Sequence, residues 1–132
     1  VDMNWEDYWK LRNDDYLSDA ETLRMIGGKI IEIGGRPNSI EDIEAQYIGL
    51  IKFSLKGLEI LKEYLNKEEL LFNGKSIKEA YMTDLLQQMI LDGVSINAVP
   101  IYSPWVEIDT VSDLELEENI SRIQYIHNEI SV

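Results

Sequence analysis

Two acids alternate in the segment Trp105-Val106-Glu107-Ile108-Asp109-Thr110. In an extended chain side chains alternate faces, so Glu107 and Asp109 share a side with Trp105 while Val106 and Ile108 point the other way. Same-face neighbours on a strand lie roughly 7 Å apart, close enough for both carboxylates to grip one hard cation through oxygen, directly or through its water shell. The same alternation is also what the solvated face of a strand shows. Directly afterwards Thr110 is followed three residues later by Asp113, and Ser112 by Glu115, both signatures of a helix start. A strand end feeding a helix is where open α/β sheets place their ligands.

Other chemistry is scarce. The sequence has no glycine-rich phosphate loop of the Walker type, no GxGxxG, no HExxH and no GxSxG, and its one histidine, His127, excludes most triads. His127 falls near the end of a helical pattern, where the helix dipole favours its proton, and is read as structural. Carboxylate and metal chemistry and a binding pocket are what remain.

The 132 residues fit one domain, with 45% hydrophobic and 28% charged residues, an ordinary globular balance. No apolar run approaches the roughly 20 residues that cross a bilayer, and no signal peptide opens the chain, so a cytoplasmic protein without membrane contact is expected. Absence of cysteine removes disulfides and thiolate metal sites. The formal net charge of -13 repels nucleic acid. Phosphate ligands handled against such a field require divalent metal or focused basic residues.

The elements that must position the two acids follow from the pattern. Val1-Asp2-Met3-Asn4 looks like the tail of a strand running into a capped helix, so sequence before residue 1 is expected. Trp5, Tyr8, Trp9 and Arg12 recur at helical spacing and share a face, packed on a sheet or forming a pocket wall against a cation. Strands are expected over 22–25 and 29–33 around Gly27-Gly28. A loop at 34–39 carries Arg36, which could reach an anion or simply occupy a turn. Gln46 to Phe53 reads as a buried central strand, with Gly49 marking a close approach.

Ser54 caps a helix whose Leu55, Leu58, Leu61 and Leu65 form a core stripe. A second helix over 76–91 opens on Ser76 and Glu79, buries Ile77, Tyr81, Leu85 and Met89, and closes at Gly93. Extended chain resumes at 94–101, Ser103-Pro104 turns it, and a last helix spans 112–129, with Leu116, Ile120, Ile123, Ile126 and Ile130 as its apolar stripe. The order gives one layered α/β domain with a mixed sheet.

Together with Asp113-Leu114, Ser18-Asp19-Ala20-Glu21-Thr22, Glu32-Ile33-Gly34, Pro37 and 46–53, the Trp105–Thr110 segment resembles the C-terminal half of nucleotidylyltransferases of the sugar-phosphate and phosphocholine cytidylyltransferase type, in the phosphonate-associated branch. The resemblance runs from Val1 to about Glu118. It implies that residues 1–132 are the acceptor- and metal-binding portion of a doubly wound, Rossmann-like domain whose N-terminal nucleotide-binding part is missing. It further implies Mg²⁺-dependent transfer from a nucleoside triphosphate, CTP, to a small phosphorylated or phosphonylated acceptor such as phosphocholine or an aminoalkylphosphonate, with release of pyrophosphate.

Carried over by position, Glu107 and Asp109 are the catalytic metal ligands, Glu44, Gln46 and Tyr47 belong to the acceptor pocket, and Glu21 and Arg36 lie beside it. Trp105, with Trp5, Trp9 and Tyr102, is a candidate aromatic wall around a quaternary ammonium. Relatives often carry a lysine before the loop proline and a Gly-Glu or Gly-Gln pair before the Tyr-x-Gly-Leu strand, where this chain has Arg36 and Ala45-Gln46. The chain alone is expected to turn over no nucleotide, and its open sheet edge to be covered by a missing half or by self-association. A sugar-phosphate acceptor, or a non-catalytic assembly module whose Glu107 and Asp109 are only solvated, are the alternatives.

Overall fold

A computed structural model describes residues 1–67, 69–102 and 104–130. Its elements are α1 (Trp5–Arg12), α2 (Tyr16–Asp19), β1 (Leu23–Ile26), β2 (Lys29–Ile33), α3 (Leu55–Leu65), α4 (Met82–Leu91), β3 (Ile96–Asn97), α5 (Val111–Glu115) and α6 (Glu117–Ile130), with a 3-10 turn at Ile40–Asp42. The chain is α/β. The expected turn at Ser103 lies outside the described residues.

The hairpin forms because Gly27 and Gly28 both take the positive φ, +57° and +76°, that a two-residue turn between right-twisted strands requires. Leu23 pairs with Ile33 and Ile26 with Lys29, with a bulge between Arg24 and Met25. β3 adds antiparallel to the other edge of β2, so β2 is the central strand. The sheet is antiparallel rather than mixed. Among the described residues parallel pairing is confined to single bridges, Asp2 with Ile101 and Leu23 with Ile43.

α4 covers the sheet. Leu85, Leu86 and Met89 pack with Leu23, Ile30 and Ile33 in one core, which also takes in Tyr64 and Phe72. The helix begins at Met82 rather than Ser76: Ser76 and Glu79 close their own turn, Ser76 Oγ donating to Glu79 at 2.8 Å, and Asp84 accepts from the Tyr81 amide at 2.9 Å. Tyr81 is therefore exposed, not core. Gly93 ends the helix as expected, at φ +86°. The start of α4 meets the end of β2 at Gly34, where φ is +77° and a Cβ would lie 2.6 Å from Thr83 Cβ. Only glycine permits that approach.

A second core gathers Trp5, Tyr8, Trp9, Ala20 and Ile43, with Trp105 against it. Three apolar patterns that promise burial receive it only in part. The 46–53 segment is no strand beyond the bridge of Gln46 to Asp2, and Leu50 is 81% exposed. No described strand lies beside it to take its backbone groups, which is what a central strand requires. On α3, Leu61 packs against the first core as expected, but Leu55 is 85% exposed and Leu58 and Leu65 are exposed too, while Tyr64 is the residue most buried. The last helix is two helices, broken where Leu116 turns extended, and Ile120, Ile123 and Ile130 face outward.

What fixes α6 is its polar edge. Buried Asn119 donates to the Asp113 carbonyl at 2.7 Å and accepts from the Tyr8 hydroxyl at 2.5 Å. Arg122 lies over the Tyr8 ring, 4.0 Å from its centroid, and donates to the Trp105 carbonyl at 3.1 Å.

Candidate functional site

The face of α1 that recurs at three and four residues carries Trp5, Tyr8, Trp9 and Arg12. The three aromatics are buried and pack on one another and on Trp105, with Trp5–Trp9 centroids 6.1 Å apart and Tyr8–Trp105 centroids 6.0 Å apart. Arg12 emerges at the end of this floor, its guanidinium 5.5 Å from the Trp9 ring centre and 5.7 Å from that of Tyr8. Its side chain is 4% exposed, and it holds three carboxylates: Nε to Asp113 at 3.0 Å, Nη1 to Glu107 at 3.0 Å and Nη2 to Asp109 at 2.8 Å.

The 105–110 segment is not a ladder strand, yet its alternation holds, because Glu107 and Asp109 converge from one side. Side chains replace the missing strand neighbour. The Glu107 amide donates to the Tyr8 hydroxyl at 3.0 Å, and the Asp109 and Thr110 amides donate to Asp113 at 3.0 and 2.8 Å. Thr110 Oγ1 accepts in turn from the Asp113 amide at 3.2 Å. Of the two helix starts offered by the sequence, Thr110–Asp113 is the one that caps α5.

These bonds set the charges. The hydrogen bond from Arg12 holds the Asp113 carboxyl well below the usual carboxylate range, against the opposing effect of burial and with help from Thr110. Burial pushes Glu107 up despite the nearby Arg12.

Glu107 and Asp109 also line a cleft of about 340 Å³, together with Trp9, Asp19, Glu21, Gln46, Tyr47, Ile48, Gly49 and the α4 start at Tyr81, Met82 and Thr83. Thus the cleft brings together Glu21, Gln46, Tyr47, Glu107 and Asp109 of the residues expected from sequence. Gln46 spends its amide on holding Glu21: Nε2 donates to the Glu21 carbonyl at 2.7 Å. Glu21 accepts from Thr83 Oγ1 at 3.3 Å, and burial pushes its carboxyl up, with Asp84 adding to the effect. Tyr47 is raised by burial and by the Glu21 charge. Gly49 lines the cleft, but its expected close contact is absent, since a Cβ there would meet nothing within 4 Å.

Three expected residues stand elsewhere. Glu44 is turned to the hairpin, where Oε1 accepts from the Met25 amide at 3.2 Å. Arg36 is exposed on its loop and does not line the cleft. Trp105 packs against the α1 rings with its Nε1 donating to buried Asp2 at 2.7 Å, so it supports the floor instead of walling the cleft. Of the other aromatics, Trp5 is core and Tyr102 is exposed; Trp9 alone of these reaches the cleft. Its Nε1 is buried with no partner among the described residues.

Arg12, Asp19, Thr83 and Asp113 are residues of this region that the sequence reading above does not place in the site. Arg12 had a signal, a cation at the end of an aromatic helix face, and Asp113 had one in the Thr110 capping box. Thr83 had none, because its role depends on Gly34, far away in sequence.

A cleft lined by acids and fed by a strand-like segment that ends in a capped helix suits a substrate whose charge is balanced by metal or by its own cation. The chain is 43% identical over 119 residues to the CTP:phosphoglutamine cytidylyltransferase of Campylobacter jejuni, an alignment that covers 89% of this chain and 47% of that protein. It is similar to a cytidylyltransferase. The chain spans about half the length of the curated relative it matches. No protein-family model and no solved structure matches it. Among the described residues no helix is long and apolar enough to cross a membrane.

Proposed function

We propose that the protein transfers a cytidylyl group from CTP to a small phosphorylated acceptor that carries an ammonium group, releasing pyrophosphate. What supports the reaction is the similarity to a cytidylyltransferase over 89% of the chain. The single observation that carries the acceptor is the cleft lining: Asp19, Glu21, Glu107 and Asp109 are acidic, Trp9, Tyr47 and Tyr81 are aromatic, and among the described residues no lysine or arginine lines it, Arg12 lying behind Glu107 and Asp109. Carboxylates and ring faces together recognise a cationic amine.

Mg²⁺ is the metal this reading requires, and the donor set fits. Glu107 and Asp109 each give Arg12 one oxygen, and each carboxylate has a second. Among the described residues no group of three or more potential ligands is assembled, so the shell would be completed by substrate oxygens and water, as magnesium sites commonly are. Bound there, the metal would neutralise phosphate charge. The chain's own part is placement: Glu21, fixed by Gln46 and Thr83, holds the amine, so that the acceptor phosphate is directed toward the Glu107–Asp109 side. Positioning and charge stabilisation carry most of such a transfer.

The test is pyrophosphate release by the full-length protein from CTP and Mg²⁺, with phosphoglutamine, phosphocholine or 2-aminoethylphosphonate against glycerol phosphate. Turnover at least about tenfold higher with an amine-bearing acceptor is expected, and Glu21→Gln should remove that preference chiefly through KM. Equal turnover on glycerol phosphate would sink the amine, and no turnover on any acceptor would sink the transfer.

A further inference from the structure

We propose that Arg12 is the resident counter-ion of the Glu107–Asp109 pair, occupying one oxygen of each carboxylate and keeping divalent metal off the pair until phosphate oxygens join the shell. The proposal rests on the metal role given to the pair above and concerns how that role is regulated.

The guanidinium cannot step aside. Its Nε is tied at 3.0 Å to Asp113, whose side chain is 7% exposed, and its own side chain is 4% exposed, whereas Glu107 and Asp109 are 32% and 64% exposed. Tyr8 and Trp9 face it from the helix side, at 5.7 and 5.5 Å. Asp113 in turn is locked by Thr110 and by the Asp109 amide. The rigid fork of an arginine, charged at every pH a protein meets, thus points two of its nitrogens at the two candidate ligands.

A divalent ion sharing Glu107 and Asp109 must therefore sit within a few ångströms of a fixed positive charge, in a partly desolvated place where like charges repel strongly. Triphosphate and acceptor oxygens reverse that balance, because they bring negative charge to both the metal and the guanidinium. Metal loading is in this way made conditional on substrate. A purely structural Arg12 has the opposite consequence: its loss would splay the carboxylates and weaken any metal binding.

The experiment is Mn²⁺ binding followed by electron paramagnetic resonance, without nucleotide or acceptor, on the wild type, Glu107→Gln, Arg12→Met and the Arg12→Met/Glu107→Gln double variant, with near-ultraviolet circular dichroism to check folding. Wild type and Glu107→Gln should bind Mn²⁺ equally weakly. Arg12→Met should bind about tenfold more tightly or better, and the double variant should lose the gain. An Arg12→Met protein that binds no more tightly than wild type overturns the proposal. So does tight wild-type binding that Glu107→Gln abolishes, and that comparison decides the matter if Arg12→Met does not fold. Since no substrate is present, the result is independent of whether the transfer reaction is found.

Discussion

The floor formed by α1, 104–113 and the start of α6 contrasts with the surface made by 48–65 and the rest of α6. In the first region polar groups are buried and partnered: Arg12 and Asp113 form a buried pair that also engages Glu107 and the more exposed Asp109, and Asn119 joins two segments through both ends of its amide. In the second, leucines and isoleucines stand in solvent, among them Leu50, Leu55, Ile123 and Ile130. Usual partitioning is reversed, since ionisable groups are seldom buried and aliphatic side chains usually are. The lesson is that the Arg12 cluster is held by polar contacts between α1, 105–113 and α6, while the exposed apolar faces contribute little to holding it.

The sharpest way to break the comparison is Asp113→Asn. It leaves buried Arg12 without its innermost partner and weakens the cap of α5, and a loss of about 3–5 kcal/mol in denaturant unfolding is expected. A loss below about 1 kcal/mol would show that the buried charges are not what holds the floor.

Acid should act on the same region. Asp113 is held low by Arg12, and Asp84 is held low by Lys75, the Tyr81 amide and Asn73 in spite of burial. Groups depressed in the folded state contribute stability that is present above their unfolded pKa, about 4, and is lost as pH falls through the folded value. Glu21 and Glu107, pushed up by burial, work the other way, their protonation favouring the folded state as acid is added. The melting temperature should therefore change little from pH 7 to about 5 and fall below about 4; a monotonic rise into acid would contradict the assignment. The smallest effect is expected on the other surface: Leu55→Gln should alter stability by no more than about 0.5 kcal/mol. A larger loss would mean that this leucine is covered in solution.

Local signals were legible in the sequence. The shared face of Trp5, Tyr8, Trp9 and Arg12, the Gly27-Gly28 turn, the Thr110–Asp113 cap and the common side of Glu107 and Asp109 each depend on neighbours within a few residues, and each is present. Glu21, Gln46 and Tyr47 line one cleft with those acids, whereas Glu44 and Arg36, grouped with them by the resemblance, stand outside it. Burial was not legible. A leucine stripe states which face would profit from cover but not whether a surface exists to cover it, so 46–53 and most of the α3 stripe look like core in the sequence and are not. Nor does pattern show where a long side chain finds its partner: Glu44 reaches the hairpin, Trp105 reaches Asp2, and Arg12 meets acids about a hundred residues away.

The Tyr8 hydroxyl accepts from the Glu107 amide while donating to Asn119, and Asp113 receives the amides of Asp109 and Thr110. An irregular segment thereby has its backbone hydrogens sequestered by side chains instead of a neighbouring strand. The amide protons of Glu107, Asp109 and Thr110 are therefore expected to exchange with solvent far more slowly than those of an open loop, with one phenolic oxygen guarding the first of them.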